Sequence, residues 1–489
     1  MSEVNECKVS SAKVLQIEEH CINIIPTQER YGTPKSLFWI WLISQLTISA
    51  VIMGQLFTVL GLSVAESLVI SAFLALTFVL IGICGIPGAK TGTTAMVISR
   101  ASFGVRGNFL SAILSWLILI GWESVAVVLT VDSILTLAGK FGMPSTGTGT
   151  TLVVLVIALI LTFTVPILGY AALVVFQRYL AYIVGILTIV MAIVILPHVN
   201  WGFAPSVSQM AAKGLIPTLF LAASIGLAAT SLGWSNYAAD YTRYFPKNTS
   251  TKAIVWYTAL GGGIATFVFL SVGVLLGSFV NPTAFSNNPM AAMAGVLPGW
   301  FVVPFMISII LGQVANNYMN SYSSALTFVS MGIHMKRHYS VIVNALICIV
   351  IVSYALFMNQ GFVSFFEQFL SLSIIWIGPW TAIFIVNHWV NRGEYRSEDL
   401  LSFKPTGVYW FTSGVHWQGM IALVLGGFAA FMCINSSLWV SPLSTYVLLG
   451  ADISAFVGPL VAGLVYAACA KRTYAAVATG VRQQVVVNP

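Results

Sequence analysis

The chain has few charged residues, and this scarcity excludes most classes of soluble protein. Only 7% of its 489 residues are Asp, Glu, Lys or Arg, whereas 58% are hydrophobic. Soluble globular domains carry about 25% charged residues, and the mean hydropathy of +0.93 points the same way. The composition therefore predicts an all-α polytopic membrane protein, because helices satisfy their own backbone polar groups in lipid.

The chain also lacks the motifs of common enzyme and cofactor sites. Its six cysteines have no paired spacing and its six histidines do not cluster, which argues against a disulfide framework or a zinc site. It contains no His-Glu-x-x-His, Walker A, Gly-rich phosphate loop or nucleophile elbow. We therefore expect no metal, no cofactor and no enzyme activity.

What the chain does have is a series of long apolar runs. Each is long enough to cross a bilayer, which takes about 20 residues. With the N-terminus in the cytoplasm, 19 of the 21 Lys and Arg residues lie inside, and only Lys140 and Lys213 lie outside. This matches the positive-inside rule, so the net charge of +7 needs no nucleic-acid partner. The predicted spans are 37–60, 65–86, 109–137, 150–168, 172–197, 214–238, 253–280, 299–332, 340–359, 362–388, 417–437 and 445–470.

Twelve spans with few acidic residues favour a secondary transporter over a channel or an enzyme. Many such transporters consist of inverted repeats whose broken helices meet near the membrane midplane. In a design of five plus five spans, the broken helices would be spans 1 and 6. Small polar residues at the centres of both spans fit local opening, although such residues are equally common as contacts between helices. They are Ser44, Gln45, Thr47 and Ser49 in span 1, and Gly226, Thr230, Ser231 and Gly233 in span 6.

The third span contains the sequence Gly121-Trp122-Glu123 near its middle. A carboxylate at this depth is costly unless it faces water, a partner or a ligand, so Glu123 is a candidate functional residue. Gly121 would let a backbone or a flat ligand come close. The alternative is structural, with Trp122 as a packing residue and Glu123 bonded to a neighbouring helix.

Several ordered motifs carry a resemblance to a known family. They are Gly85 to Gly92, Ser99 to Asn108, Gly121-Trp122, Gly233 to Tyr244 and Ala315 to Leu326. Together they resemble the nucleobase:cation symporter family, within it the cytosine permease and purine-cytosine permease branch. The resemblance implies a LeuT-like 5+5 inverted repeat with broken helices 1 and 6, plus two C-terminal helices. Spans 1, 2, 6 and 7 would move against spans 3, 4, 8 and 9.

This fold divides the chain into segments. We expect a cytoplasmic N-terminal tail, a first repeat of spans 1–5 with its following loop, a second repeat of spans 6–10, a cytoplasmic loop, spans 11–12 and a cytoplasmic C-terminal tail. In that order the segments are 1–36, 37–213, 214–388, 389–416, 417–470 and 471–489.

The resemblance also implies a substrate site. The family's stacking tryptophan falls on Trp122, and its substrate-reading asparagines fall on Asn316, Asn317 and Asn320, with the register between the first two left open. The chemistry agrees, because stacking a base on an aromatic ring is worth about 1–3 kcal/mol and an amide presents both donors and an acceptor. Interhelical hydrogen bonding is the alternative role for these amides. The backbone and side chains of Ile48, Ser49, Thr230 and Ser231 would complete the cavity.

Two positions depart from the family pattern. The second aromatic residue of many members falls on Ser231, so Trp234 would complete a sandwich around the ring or the site would be one-sided. The sodium site of sodium-coupled members uses carbonyl groups of span 1, here near Thr47 and Ile48, and hydroxyl groups of span 8. The span 8 positions here are Leu311, Val314 and Ala315, which have no hydroxyl.

The missing hydroxyl groups bear on the coupling ion, because a hard cation needs oxygen ligands. Proton coupling is therefore slightly favoured over sodium coupling. Glu123 is the candidate carrier, since burial favours the protonated form of a carboxylate. Asp240 and Arg243, three residues apart at the end of span 6, would form an inner gate or simply an interfacial ion pair or cap.

We expect a multi-pass protein of the cell (plasma or inner) membrane that imports a small neutral heterocycle, cytosine or a purine, coupled to a cation gradient. The nearest alternative keeps the fold and changes the cargo to allantoin, a hydantoin or a hydroxymethylpyrimidine. An intramembrane enzyme and a non-transporting sensor are the alternatives from other classes. Beyond the substrate and the lipid bilayer, the sequence implies no obligatory protein partner and no nucleic acid.

Overall fold

The computed structural model describes residues 20–168, 170–333, 335, 337–358 and 362–485, with the backbone alone at 168, 207, 337, 362–365 and 471–485. Residues 1–19 of the predicted N-terminal tail and the last four residues of the predicted C-terminal tail lie outside this range. We label the main helices α1 Pro34–Gln45, α2 Ile48–Val59, α3 Val64–Leu76, α4 Phe78–Thr91, α5 Asn108–Lys140, α6 Thr148–Leu168, α7 Tyr170–Ile195, α8 Leu215–Ala229, α9 Ser231–Ser235, α10 Thr251–Gly277, α11 Gly299–Ser330, α12 Arg337–Met358, α13 Phe362–Val390, α14 Trp417–Phe431 and α15 Ser454–Val485.

Short helices lie in the connections between these main helices. They are Ala95–Ile98, Arg100–Phe103, Pro282–Asn287, Pro289–Val296, Ser397–Leu401 and Pro442–Tyr446. Single 3-10 turns cover Thr27–Glu29, Leu196–His198, Val207–Gln209, Ala238–Tyr241 and Val408–Trp410.

The all-helical membrane architecture is confirmed. In the described part of the chain, nine helical spans are long and apolar enough to cross a membrane, and the bent pair α1 and α2 makes a tenth. The remaining two apolar helices are shorter, Trp417–Phe431 and Ser454–Ala470. Taken in chain order, these elements are consistent with the twelve predicted spans.

The helical conformation is interrupted within spans 1 and 6, which is consistent with the broken helices expected there. Between α1 and α2 the chain bends by 56°, and Thr47 at the break is extended, with φ −128° and ψ 149°. Between α8 and α9 only Thr230 leaves the helical conformation, with φ −119° and ψ −106°. The breaks place non-helical backbone inside the bundle, which is tolerated at membrane depth where protein or water satisfies its polar groups.

The packing forms three groups of helices. Helix α10 lies against α1, α2, α3 and α4, and α5 packs along α11 with α6 and α12 beside them. Helices α13, α14 and α15 pack mainly on one another, and α13 also contacts α8. The candidate site lies between the first two groups, with residues of α8, α9 and α13 completing its lining.

The contact between α2 and α10 is backbone to backbone. A Cβ atom at Gly273 would lie 2.0 Å from the carbonyl oxygen of Val51, and one at Gly54 would lie 2.0 Å from that of Leu270. Glycine is therefore required at both crossings, as in other close membrane helix pairs.

We expect Gly273→Ala to destabilise the protein, because the added methyl group must push α2 away from α10. Overpacking of this kind costs about 1–3 kcal/mol. The measurement is the temperature at which half of the detergent-solubilised protein is still monodisperse. We expect this temperature to be lower for Gly273→Ala than for the wild type. Gly295→Ala is the control, since a Cβ there meets nothing within 4 Å; equal stability of the two variants would contradict the packing argument.

The last helix begins later than predicted, at Ser454 instead of residue 445. The carboxylate of Asp452 accepts hydrogen bonds from the backbone N–H groups of Asn435, at 3.0 Å, and Ser454, at 2.9 Å. Residues 447–453 form a loop beside these bonds. At the other end α15 continues to Val485, so the predicted tail 471–489 is helical over its first part.

Candidate functional site

A small cavity lies beside both helix breaks. Its volume is about 20 Å³, enough for about one water molecule and far below the roughly 300 Å³ of a ligand pocket. The cavity is therefore closed, and a ring-sized ligand would enter only after the helices move apart. Its described lining residues are Ser44, Gln45, Thr47, Ser49, Ala50, Trp122, Ala229, Trp234, Asn316 and Phe366.

One side of the cavity is aromatic. The Trp122 and Phe366 rings are 5.7 Å apart and meet edge to face at 76°. Trp234, from α9, packs edge to face on Trp41, with ring centroids 5.7 Å apart. Gly121 makes room for Phe369, whose ring a Cβ atom would meet at 2.2 Å. The edge-to-face contacts fix the tryptophan planes without covering them completely, and Trp122 keeps partial exposure.

The other side of the cavity is polar and uncharged. Its side chains come from the break between α1 and α2 and from Asn316 of α11. The amide nitrogen of Asn316 donates to the Ser44 carbonyl at 2.8 Å, and its amide oxygen accepts from Asn320 at 2.9 Å. These two bonds set the plane of the amide, which retains a second N–H and a second oxygen lone pair for a ligand.

The three asparagines have different surroundings. Asn316 lines the cavity, whereas the nitrogen of Asn317 points toward the Thr162 carbonyl of α6, at 3.4 Å. Asn320 is buried one turn further along α11 and touches the cavity only through Asn316. The structure thus places one of the two alternative residues, Asn316, at the cavity and the other between helices.

Three of the candidate lining residues are not among the described residues that line the cavity. The hydroxyl of Ser231 accepts a hydrogen bond from Thr77 at 2.7 Å, and the Thr230 hydroxyl donates to the Gly226 carbonyl of its own helix at 2.7 Å. Ile48 is buried as the first residue of α2. The fourth candidate, Ser49, does line the cavity, together with Thr47, which was predicted for the cation site, and Ala229.

Glu123 faces away from the cavity. Successive helical residues point about 100° apart, so Trp122 and Glu123 do not share a face of α5. The Glu123 carboxylate accepts from the Asn344 amide at 3.5 Å and contacts the Cys348 thiol at 3.6 Å, both on α12. It is fully buried and bonded between helices, as the structural alternative described.

The predicted cation position lies where α11 meets the break in span 1. A Cβ atom at Gly312 would lie 2.6 Å from the Leu46 carbonyl and 3.8 Å from Cα of Thr47, so the two backbones are in close contact. The next residue, Gln313, donates to the Ser49 hydroxyl at 3.3 Å. Its side-chain oxygen is buried without a hydrogen-bond partner in the described structure.

Asp240 and Arg243 lie at the end of the bundle where most Lys and Arg residues gather. Asp240 accepts from the backbone N–H of Ala95 at 2.8 Å, which ties the end of span 6 to the connection after span 2. The Arg243 guanidinium donates to the carbonyl of Cys21 and to the Tyr322 hydroxyl, the latter at 3.0 Å. Near them, Trp41 meets Tyr241 edge to face, with ring centroids 5.4 Å apart.

Residues 20–33, which we name the N-terminal strap, pack against this end of the bundle. Ile25 N–H donates to the Gly92 carbonyl at 2.9 Å, and Gly32 N–H donates to the Tyr244 carbonyl at 2.8 Å. Arg30 donates to the carbonyls of Ala89 and Thr91, at 3.1 and 3.3 Å, and burial lowers the pKa of its guanidinium. The strap thus joins span 2 to the end of span 6.

Phe366 is a lining residue that the sequence did not single out, as are Ala50 and Ala229. It is one of 30 phenylalanines and lies in an apolar run, so nothing local distinguishes it from packing residues. Ser44 and Gln45 were noted as polar residues of an opening helix but not as lining residues. The feature of the sequence that would have indicated Ser44 and Gln45 as lining residues is the helix break. Residues on both sides of the break in span 1 line the cavity.

Comparison with known proteins identifies the family. A family described as "Permease for cytosine/purines, uracil, thiamine, allantoin" matches residues 24–458. The chain is 25% identical over 469 residues to YxlA of Bacillus subtilis, which carries the description purine-cytosine permease, covering 92% of this chain and 95% of that one. It is 27% identical over 424 residues to the purine-cytosine permease fcyB of Emericella nidulans, covering 81% and 79%.

A solved structure shares the fold. Mhp1, a nucleobase-cation-symport-1 family transporter in a closed conformation with bromovinylhydantoin bound, matches with a TM-score of 0.74 at 19% identity, covering 93% of this chain and 95% of that chain. An all-helical membrane chain that this family matches over most of its length is a transporter and not an enzyme. The chain therefore belongs to the family of permeases for cytosine/purines, uracil, thiamine and allantoin, within the nucleobase:cation symporters.

Proposed function

We propose that this permease imports a neutral, planar nitrogen heterocycle, cytosine or a purine base, by alternating access coupled to a cation gradient. The observation that carries the proposal is the lining of the cavity. Among the described residues it has aromatic rings on one side, hydroxyl and amide groups on the other, and no Lys, Arg, Asp or Glu. A charged ligand would be desolvated there without a counter-charge, at high cost.

The proposed roles follow from the geometry. Trp122 stacks on the face of the base, and Trp234 approaches from the opposite repeat. Asn316 reads the edge of the base with the N–H and lone pair that its bonds to Ser44 and Asn320 leave free. Ser44, Gln45, Thr47 and Ser49 supply further donors and acceptors from the broken helix. The half-helix N-terminus at Ile48 adds a partial positive charge, as in other transporters with broken helices.

We place both termini in the cytoplasm, which puts Asp240, Arg243 and the N-terminal strap at the inner end. These residues act as the inner gate. The bonds from Arg243 to Cys21 and Tyr322 and from Asp240 to Ala95 would have to break for the base to leave toward the cytoplasm. The strap therefore opens together with span 6.

The test is accumulation in proteoliposomes. Purified protein should concentrate radiolabelled cytosine above the outside level when a cation gradient is imposed, and unlabelled adenine, guanine, uracil, allantoin and hydroxymethylpyrimidine should be ranked as competitors. The accumulated label is then chromatographed. A changed product would indicate an enzyme, and binding without accumulation would indicate a sensor; either result would contradict the proposal.

Proton coupling is the favoured mode. Leu311, Val314 and Ala315 offer no hydroxyl to a hard cation, and α11 meets the span 1 break in direct backbone contact at Gly312. Glu123 is the buried carboxylate nearest in sequence to Trp122, and its contacts reach α12 through Asn344 and Cys348. Protonation of Glu123 would change the hydrogen bonds between α5 and α12. Because α5 also carries Trp122, protonation would thereby affect the position of the substrate site.

We expect Glu123→Gln to abolish the stimulation of uptake by outside acidification while leaving exchange of labelled for unlabelled base intact. Glutamine keeps an acceptor for Asn344 but cannot gain or release a proton in this pH range. The measurement is initial uptake with and without an inward proton gradient, at clamped potential. Asp132→Asn is the control, because Asp132 lies on the same helix about 13.5 Å away. Uptake that needs sodium and ignores the proton gradient would contradict proton coupling.

A further inference from the structure

A second cavity lies away from the candidate site, at the end of the bundle rich in Lys and Arg. Its volume is about 830 Å³, and we name it the basic pocket after the side chains of Lys90, Lys247, His388 and Arg392 that line it. Glu394 is the one acid in the described lining. Within the described residues, Lys90, Lys247 and Arg392 have no carboxylate within ion-pair distance, since the ion pairs found there are His20 with Glu29 and Arg396 with Asp399.

The three cations come from different parts of the fold. Lys90 lies in the last turn of α4, Lys247 follows span 6, and Arg392 lies just beyond α13. Arg392 adopts a left-handed conformation, with φ 53°, and the N–H of Gly393 closes the helix end on the His388 carbonyl at 2.9 Å. This tight turn holds Arg392 at the negative end of the helix dipole, facing Lys90 and Lys247 across the pocket.

The basic pocket continues into an apolar groove that faces the membrane. The groove has a volume of about 870 Å³ and shares Trp389 and Arg392 with the pocket. Its walls are apolar side chains of α3, α4, α8, α9, α13 and α15, among them Phe73, Leu80, Leu227, Val386, Phe456 and Leu460. Along α13 it runs from Gly378 to Val390, about 18 Å at 1.5 Å per residue.

The dimensions match one lipid leaflet. Half of the hydrocarbon core of a bilayer is about 15 Å thick, so an acyl chain entering beside Trp389 would follow the groove for its whole depth. Trp389 is 64% exposed, and exposed tryptophans of this kind mark the membrane interface. The basic pocket then lies at the level of the lipid headgroups.

We propose that this pocket and groove form a binding site for one anionic phospholipid. The headgroup phosphate contacts Lys90, Lys247 and Arg392, and an acyl chain fills the groove between α4, α13 and α15. Basic pockets between membrane helices on the cytoplasmic side are suited to anionic headgroups. The lipid would join span 2 to spans 10 and 12, so its presence holds the end of span 2 against helices that pack outside the moving group.

The site is tested by native mass spectrometry of the purified full chain in detergent, with phosphatidylglycerol and phosphatidylcholine of identical acyl chains. We expect wild-type protein to retain phosphatidylglycerol at least about tenfold better than phosphatidylcholine. The triple variant Lys90→Gln, Lys247→Gln, Arg392→Gln should lose about 100-fold of this binding, roughly fivefold per charge. The matched triple Arg178→Gln, Arg396→Gln, Lys404→Gln removes equal charge from residues outside the pocket and should bind as wild type.

A second pair of variants distinguishes the contribution of the apolar groove to lipid binding from that of the charged side chains. Ala467→Trp fills the groove, whose wall includes Ala467, and should reduce retention of phosphatidylglycerol; Ala468→Trp on the exposed face of α15 should not. Equal losses in the two charge triples would overturn the proposal, as would equal retention of the two lipids. Displacement by inorganic phosphate with no effect of Ala467→Trp would show a free anion site and would also overturn it. The assay needs no transport, so its outcome is independent of the proposed cargo.

Discussion

Replacing Trp122 by alanine is expected to weaken equilibrium binding of radiolabelled cytosine by about 5- to 150-fold, and to reduce uptake accordingly. The range corresponds to the roughly 1–3 kcal/mol that one aromatic platform contributes to stacking of a base. The effect should be large because Trp122 keeps a partly open face at the cavity while its edge contacts with Phe366 and Phe369 fix its plane.

Two further variants serve as a graded substitution and as a control for this prediction. Trp122→Phe keeps a smaller ring and should bind with intermediate affinity. Trp300→Ala removes a tryptophan that is 66% exposed at the start of α11, and its binding should equal that of the wild type. If Trp122→Ala bound cytosine as tightly as the wild type at equal expression and monodispersity, the stacking role of Trp122 would be excluded.

The second large effect is expected at Asn316 and not at its neighbour. Asn316→Ala removes the amide that lines the cavity and leaves the Ser44 carbonyl and the Asn320 amide without their partner. A substrate edge left without the Asn316 amide as its hydrogen-bond partner costs about 1–3 kcal/mol, so the dissociation constant should rise by about 5- to 150-fold. The measurement is equilibrium binding of cytosine to purified protein, with uracil as a competitor to detect altered edge recognition.

Asn317→Ala is the matched control, one residue away on the same helix. Asn317 points toward Thr162 of α6, with a long contact of 3.4 Å, so its removal should change the dissociation constant by less than about threefold. We expect Asn317→Ala to lower the stability of the protein and to leave its selectivity among bases unchanged. A larger binding loss in Asn317→Ala than in Asn316→Ala would reverse the assignment and place the base on the other face of α11.

The architecture was predictable because membrane insertion depends on local sequence. Runs of about 20 apolar residues mark membrane helices. The distribution of Lys and Arg between the loops then predicts the orientation of each helix in the membrane. The interruptions near Thr47 and Thr230 were also visible, as groups of small polar residues in otherwise apolar spans. Boundaries were harder to predict where a tertiary contact decides them. The start of α15 is one example, because Asp452, just before it, accepts a hydrogen bond from Asn435 in the preceding connection, 17 residues earlier in the chain.

The sequence did not predict, for individual residues, the direction in which each side chain points. On a helix, a shift of one position turns a side chain by about 100°, so motif alignment alone did not separate Asn316 from Asn317. The same rotation separates Trp122 from Glu123. Ser231 was expected near the substrate because a family aromatic falls there, yet a hydrogen bond from Thr77 turns it toward α4. Such choices depend on partners that are distant in sequence.

The position of Glu123 changes how coupling would work. A carboxylate on the cavity could exchange a proton with the substrate pathway directly. Glu123 instead lies between α5 and α12, bonded to Asn344, so a proton there would act on the packing of the helix that carries Trp122. This is coupling through a change in helix position, which fits a transporter whose cavity is closed at about 20 Å³.

The most direct measurement is a structure of the protein determined with cytosine, or with the tightest-binding competitor, at saturating concentration. The proposal predicts an enlarged central cavity with the ring stacked on the Trp122 indole and its edge within hydrogen-bond distance of Asn316. A ring bound elsewhere, or bound in the central cavity without contact to either side chain, would contradict it.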